Sequence, residues 1–355
     1  MTHPAPETPT TGGAVNDWWI YKGEGSAIER LGRLAAHQPP WRVFDGVIDH
    51  GYAVPSLSEP DRERGAGYIA DAPEIELVNT ALYLRRPLLV TGVPGVGKST
   101  LAHSIAEDLD LGPVLRWPVT SRTTLRDGLY RYDALRRLED ANLRRLGKRR
   151  GAGTGASDSI GRYLQLGPLG TAFLPSTQPR VLLIDEIDKG DIDLPGDLLT
   201  VLDEGRFDIP ELIRMSESAP KVLVSTDDDQ ARKAWITDGR VRCQAFPVVV
   251  LTSNGEREFP PAFLRRCIRL NLPLPDKGKL HRILVQRIGQ EAADAAQAPN
   301  GVIDTFLKRR SNGELATDQL LNAVQLRLAG AWTAPSDLED LADATMHQLS
   351  GPGAQ

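Results

Sequence analysis

The segment that most narrows the fold is Gly92-Val93-Pro94-Gly95-Val96-Gly97-Lys98-Ser99, a G-x-x-x-x-G-K-[ST] pattern set between two unlike neighbours. Before it stands a short apolar run, Pro87-Leu88-Leu89-Val90, which reads as a buried strand. After it, Ser99-Thr100-Leu101-Ala102-His103-Ser104-Ile105-Ala106 carries a helical pattern. Strand, glycine-rich loop and helix in that order are the context in which this pattern cradles phosphate. Gly92, Gly95 and Gly97 let the backbone curl with no side chain in the way. Loop N–H groups and the helix N-terminus then point at anionic oxygens. The expected phosphate-contacting run is therefore Gly92 to Thr100. Lys98 is expected to reach the β- and γ-phosphates, and the Ser99 hydroxyl to bind Mg²⁺.

Composition sets the scale. With 355 residues, 41% hydrophobic and 25% charged, the chain suits one large globular domain with a smaller companion. A formal charge of -5 argues against bulk attraction to nucleic acid or an anionic membrane. Cys243 and Cys267 are far apart and lack ligand-like spacing, so they read as packing residues. The first ten residues have no apolar centre, and no apolar run is long enough to span a bilayer; the expectation is a cytoplasmic protein.

Further along, apolar runs alternate with helical stretches. Val114–Val119, Val181–Asp185, Val248–Thr252 and Cys267–Leu272 read as four more strands. With the strand before the loop they imply an open parallel sheet of five strands covered on both faces. Pro273-Leu274-Pro275 interrupts the pattern, and the following residues to about 349 read as helices, a small all-α unit. Residues 1–15 are Pro-, Thr- and Gly-rich and expected to be disordered. Trp18-Trp19-Ile20-Tyr21 is dense in aromatics and should dock on its own domain or on a partner. Two insertions interrupt the sheet pattern. One, 120–175, holds an amphipathic helix candidate at Arg136–Leu146 and a Gly-rich stretch, Lys148–Gly155. The other, between Glu204 and Pro247, holds two β-like runs, Lys221–Thr226 and Gly239–Phe246, around Asp227-Asp228-Asp229. It reads as a two-stranded excursion.

The chemistry gathers at strand ends. Leu182-Leu183-Ile184-Asp185-Glu186 places two acids at a C-terminal strand edge, where α/β sheets bind ligands. Asp185 can hold Mg²⁺ beside Ser99, and Glu186 is the candidate base for an attacking water. Asp188 and Lys189 read as readily as a solvated face as a functional edge. Asn254, after Leu251-Thr252-Ser253, can orient water, or can simply be the turn residue before Gly255. Arg265 and Arg266 precede the fifth strand; Arg266 first, Arg265 second, is the candidate to neutralise charge at a neighbouring subunit's γ-phosphate. Residues 136–150 hold seven basic and two acidic residues without aromatic interleaving, which favours a solvated helix face over a nucleic-acid contact.

Taken in order, Gly92–Ser99, Leu182–Glu186, Asn254 and Arg265–Arg266 resemble the Walker A, Walker B, sensor 1 and arginine-finger set of AAA+ ATPases. Arg85–Val90, Leu129–Ala134, Gly167–Gly170 and Glu204–Leu212 are similar to the MoxR-like branch of that class. The resemblance spans about residues 65–345. It implies an α/β AAA+ αβα sandwich over 65–272 with a helix-2 insert at 120–175 and a pre-sensor-1 hairpin at 215–246. A helical lid over 273–349 would follow, with an extension over 16–64 before the core and a tail at 350–355. It further implies ATP and Mg²⁺ as ligands, adenine contacts at Tyr68 and Ile69, and a ring, usually hexameric, of identical subunits. It implies a protein client too, often beside a von Willebrand A-domain protein. One departure stands out: the family often carries a sensor-2 arginine in the lid, and Leu315–Leu320 contains none. The Trp18–Tyr21 extension is similar to that of MoxR-like proteins of bacterial conflict systems. An ATP-driven remodelling machine is the leading expectation. A nucleotide-dependent switch in a defence or signalling assembly and a nucleic-acid-stimulated motor are the alternatives.

Overall fold

The structure, a computed structural model, describes residues 18–23, 28–48, 51–145, 160–228, 232–311, 315–332 and 337–347. The expected tails at 1–15 and 350–355, the stretch Lys148–Gly155 and Asp229 lie outside the described residues. In chain order the first half runs α1 (Ile28–Ala36), α2 (Glu59–Ala66), α3 (Ala72–Leu84), β1 (Leu88–Thr91), α4 (Lys98–Asp108) and β2 (Leu115–Pro118). It continues with α5 (Leu125–Leu129), β3 (Tyr130–Tyr132), α6 (Ala134–Arg145), β4 (Leu164–Leu166), α7 (Pro168–Ala172) and β5 (Val181–Asp185). Then come α8 (Leu194–Glu204), β6 (Arg206–Asp208), α9 (Pro210–Ile213), β7 (Lys221–Ser225), β8 (Lys233–Thr237), β9 (Arg240–Arg242) and β10 (Val248–Ser253). Last are α10 (Pro261–Leu264), β11 (Ile268–Asn271), α11 (Lys277–Ile288), α12 (Gln290–Gln297), α13 (Val302–Arg310), α14 (Thr317–Leu328) and α15 (Leu338–Thr345).

Five strands form an all-parallel sheet in the order β11-β1-β10-β5-β2. Alternation along each strand sorts its side chains to two faces. Leu88, Val90, Val181, Leu183 and Val250 pack with α3 and α4. Leu89, Leu182, Ile184, Val249 and Leu251 pack on the other side with α7, α8 and α10. Both faces are covered, which is why these strands are continuous apolar runs. From β1, next to one edge, the chain crosses to the β2 edge, and it returns through β5 and β10 to finish at β11 on β1's other side. The crevice at the carboxyl ends of β1, β10 and β5 is where such a sheet takes its ligand.

The insertions are not separate excursions. They join in a second, six-stranded sheet, β3-β4-β7-β8-β9-β6. The expected two-stranded excursion is corrected by β8, which pairs antiparallel with β7 from Lys221↔Thr237 to Ser225↔Lys233. The chain turns from β8 to β9 through Asp238 (φ 52) and Gly239 (φ 67), the left-handed pair that a tight hairpin turn uses. Only part of the expected Gly239–Phe246 run is strand, at Arg240–Arg242.

The aromatic segment docks on its own chain. Ile20 and Tyr21 are fully buried against α3 and α4. Asn79 of α3 accepts from both of their N–H groups at Oδ1 (2.6 and 2.9 Å) and donates through Nδ2 to the Tyr21 carbonyl (2.8 Å). The helices from α11 onward close over their own apolar centre, with Leu280, Leu284, Ile303, Phe306, Leu320 and Leu341 inside. Ion pairs tie this unit to α3: Lys279 lies 2.7 Å from Asp71 and 2.6 Å from Glu74. No helix among the described residues is long and apolar enough to cross a membrane.

Candidate functional site

The loop after β1 ends at Gly97, whose φ of 98° caps α4 and leaves the helix's first N–H groups free of intrahelical partners. Gly95, at φ 76°, faces the lid so closely that a Cβ there would stand 2.2 Å from the Ala316 Cβ. Lys98 is buried and folds back over the loop, its Nζ donating to the carbonyls of Gly92 (2.7 Å) and Val93 (3.0 Å). The ammonium thus sits on the rim of the phosphate cradle.

Asp185, the last residue of β5, is the hub. Its Oδ1 accepts from the Ser99 hydroxyl (2.8 Å) and from the Thr252 hydroxyl at the end of β10 (2.8 Å). Its Oδ2 accepts from Arg116 of β2 through Nη2 (2.7 Å) and Nε (3.2 Å). Burial by itself raises this carboxyl's pKa, but the hydrogen bonds from Arg116, Thr252 and Ser99 and the Arg116 charge outweigh it. The net position is below the usual carboxylate range, so Asp185 is ionised. The Ser99 hydroxyl and Asp185 carboxylate form an adjacent pair of hard oxygen donors, which fits Mg²⁺.

Glu186 adopts φ 60°, ψ 49°, a left-handed conformation uncommon outside glycine, and its N–H donates to the Thr252 hydroxyl (2.9 Å). That turn aims its half-exposed carboxylate along the cavity edge, where Lys189 pairs with it at 2.9 Å. The hydrogen bond to Glu186 raises the Lys189 ammonium above its ordinary value. Asn254 is held by its backbone: its N–H and that of Glu256 both donate to Oδ2 of Asp188 (2.9 and 3.2 Å). Asp188 is buried, which selects the structural role over the solvated face that its sequence allowed equally.

Lys98, Ser99, Arg116, Asp185, Glu186, Thr252 and Asn254 line one cavity of about 660 Å³ between sheet edge and lid. Tyr68 and Ile69 form its far wall. The Tyr68 hydroxyl donates to Glu74 (2.7 Å), and burial followed by the Glu74 charge pushes its pKa up, so the phenol stays neutral. From the lid, α14 places Thr317 and Asp318 on the cavity, with the Thr317 N–H directed at the Gly95 carbonyl (3.4 Å). The arginine absent from Leu315–Leu320 has no substitute in the first turn of α14; the lid cations on the cavity are Lys279 and Arg287 of α11. Lys279 is committed to Asp71 and Glu74, and Arg287 donates to the carbonyls of Glu63 and Arg64 (3.4 Å each).

Arg265 and Arg266 are not brought to this cavity. They precede β11, whose Ile268 pairs with Leu88 at the start of β1, so they occupy the opposite sheet edge from the loop that follows β1. Arg86 donates to the Arg265 carbonyl (3.2 Å), and Nε of Arg266 donates to Asp203 (2.7 Å). Two site residues escaped the sequence reading, Arg116 and Thr252, and Asp188 stood there between two readings. The signal for Arg116 was a single charge inside the apolar alternation Leu115-Arg116-Trp117.

A parallel sheet with a phosphate loop after one inner strand, an acid ending the neighbour but one, and a helical lid over both defines a nucleotide-binding α/β P-loop ATPase. The family profile described as AAA domain (dynein-related subfamily) matches residues 87–267, and the chain belongs to that family of ATP-binding AAA+ ATPases. No curated protein matches the chain.

Proposed function

We propose that this AAA+ protein hydrolyses ATP as a MoxR-like remodelling machine, with each nucleotide shared between neighbouring copies in a ring. The observation that carries the reading is the separation of two half-sites. Lys98, Ser99, Asp185, Glu186 and Asn254 line the cavity, while Arg266 lies at the opposite sheet edge, partly exposed and paired with Asp203. A closed ring, hexameric by resemblance, would bring the second half of one copy to the first half of the next.

Within the cavity the loop N–H groups and Lys98 grip the β- and γ-phosphates. Ser99 and Asp185 would hold Mg²⁺, which would neutralise charge on the phosphate groups. Glu186, on leaving Lys189, orients and deprotonates the attacking water, and Asn254 fixes that water's second contact. Arg266 of the adjacent copy meets the charge developing on the γ-phosphoryl group. Motion would pass to a protein client, a von Willebrand A-domain protein among the candidates, through the six-stranded sheet. The cytoplasm is the proposed compartment.

Steady-state ATPase tests this. Lys98→Ala should lose nucleotide affinity and turnover together, and Glu186→Gln should bind ATP and fail to turn it over. Wild-type turnover in both variants sinks the mechanism.

One observation favours a second reading, a nucleotide-dependent switch in a defence assembly. The lid presents Asp318 rather than an arginine to the cavity, which would slow turnover. Partner capture that depends on ATP against ADP, with turnover below about one per minute, would select it.

A further inference from the structure

A second cavity, of about 260 Å³, opens at the other edge of the sheet. Leu31 and Leu34 of α1, Val78 and Leu82 of α3, and Phe246 supply its apolar wall. Leu88 and Val249 form its floor at the starts of β1 and β10, so the whole sheet separates it from the phosphate loop.

One charged side chain in this wall is out of place. Arg85, the cap of α3 at φ 51°, is only 9% exposed. Its Nη2 donates to the Leu34 carbonyl at 3.3 Å, which caps the last turn of α1. Its Nε is buried with no hydrogen-bond partner, and no carboxylate among the described residues pairs with it. The neighbouring charges are of the same sign: Arg86 also lines the cavity, and Arg42 donates to the Arg85 carbonyl at 2.6 Å. Desolvation pulls the Arg85 guanidinium below its ordinary value, as expected for a cation without a counter-charge. Buried guanidinium groups in folded proteins are almost always paired, because an isolated charge is costly to take out of water. An apolar wall of leucine, valine and phenylalanine with a few polar groups, here Arg85 and Arg86 among them, is also the usual make-up of a small-molecule pocket.

We propose that this cavity binds a small amphipathic carboxylate, its apolar body against α1 and α3 and its carboxylate on the Arg85 guanidinium. A planar guanidinium with free N–H groups matches a carboxylate's two oxygens. The volume admits a medium-chain acid rather than a long lipid or a peptide. The site is independent of the ATPase reading, since none of the nucleotide-cavity groups lines it.

The test is calorimetric titration of the full chain with octanoate, octan-1-ol and octylammonium, with ATP binding measured on each sample as a check of fold. Octanoate should bind at one site about tenfold more tightly than the alcohol, and octylammonium should give no heat. Arg85→Gln should reduce octanoate to the level of the alcohol while leaving the alcohol unchanged. Ala35→Leu, an exposed lining position on α1, should weaken both while ATP binding is kept, and it serves if Arg85→Gln does not fold. The proposal is overturned if octanoate gives no saturable heat. It also falls if the alcohol binds as well as the acid, or if the folded Arg85 and Ala35 variants bind octanoate like the wild type.

Discussion

Arg116 and Asp185, on neighbouring strands, form a two-pronged ion pair on one wall of the candidate nucleotide cavity, with Nη2 at 2.7 Å and Nε at 3.2 Å from the same carboxylate oxygen. The other carboxylate oxygen is shared by the hydroxyls of Ser99 and Thr252. A guanidinium therefore meets the acid proposed to give Mg²⁺ an oxygen. Arg116 is 61% exposed at its side chain, while Asp185 is nearly closed off, so the arginine is the partner free to swing.

Arg116→Gln should lower the Mg²⁺ concentration needed for half-maximal ATPase by a few-fold, because an exposed pair contributes about 1 kcal/mol or less. A Mg²⁺ titration of wild type and variant, with Mn²⁺ binding read by spin resonance, checks it. An unchanged metal requirement makes the ion pair a bystander.

Asp203 accepts from Arg266 at 2.7 Å and lies 3.6 Å from Arg42, which is stacked on Phe246 at 4.6 Å. The segment before the core thus reaches the group expected to act on a neighbour's nucleotide. Arg266→Ala should cut turnover by about a thousandfold with ATP affinity kept. Asp203→Asn, which loosens rather than removes the arginine, should cost about tenfold in turnover and leave affinity alone. Turnover and equilibrium ATP binding, measured side by side, separate these outcomes from a folding defect.

Asn79 is fully buried and serves Ile20, Tyr21 and Ile75 through three backbone hydrogen bonds beyond its first. Asn79→Ala leaves those backbone groups unserved and should destabilise the chain by about 2–4 kcal/mol. Tyr21→Phe removes only the 2.9 Å contact with the Ser104 hydroxyl and should cost about 1 kcal/mol. Urea denaturation of the two variants gives both values. Equal stabilities would mean that the aromatic segment is not part of the folding unit.

The runs Val181–Asp185 and Val248–Ser253 were legible because a parallel strand buried on both faces must be apolar at every position. The phosphate loop was legible because its glycines and lysine are neighbours in sequence. Arg116 was not, because its partner lies 69 residues away and only sheet register brings them together. Strand β8 was legible and missed. Ala234 and Ile236 alternate with exposed Lys233, Trp235 and Thr237, and Asp238-Gly239 follows as a hairpin turn. The charge-rich stretch before it masked a period of two. The destination of Trp18–Tyr21 rested on Asn79 and Ser104, residues whose sequence neighbourhood says nothing of a distant backbone.

His103 gives the chain a pH dependence with a definite sign. It lies on α4 just past the phosphate loop, and burial first, then the Arg64 charge, push its imidazole from 6.5 down to about 4. The native chain keeps this ring neutral while the unfolded chain protonates it near its ordinary value. Below that value the unfolded state binds the extra proton, so stability rises with pH across the window. The contribution is complete above pH 6.5 and is lost as pH falls toward 4. Asp185 sits below the ordinary 3.8 and gives up its own contribution only at lower pH, outside that window. The urea midpoint should therefore fall between pH 7 and pH 5, and His103→Gln should flatten the part of the slope that the imidazole causes. A variant whose midpoint tracks the wild type across the window would place the titration elsewhere.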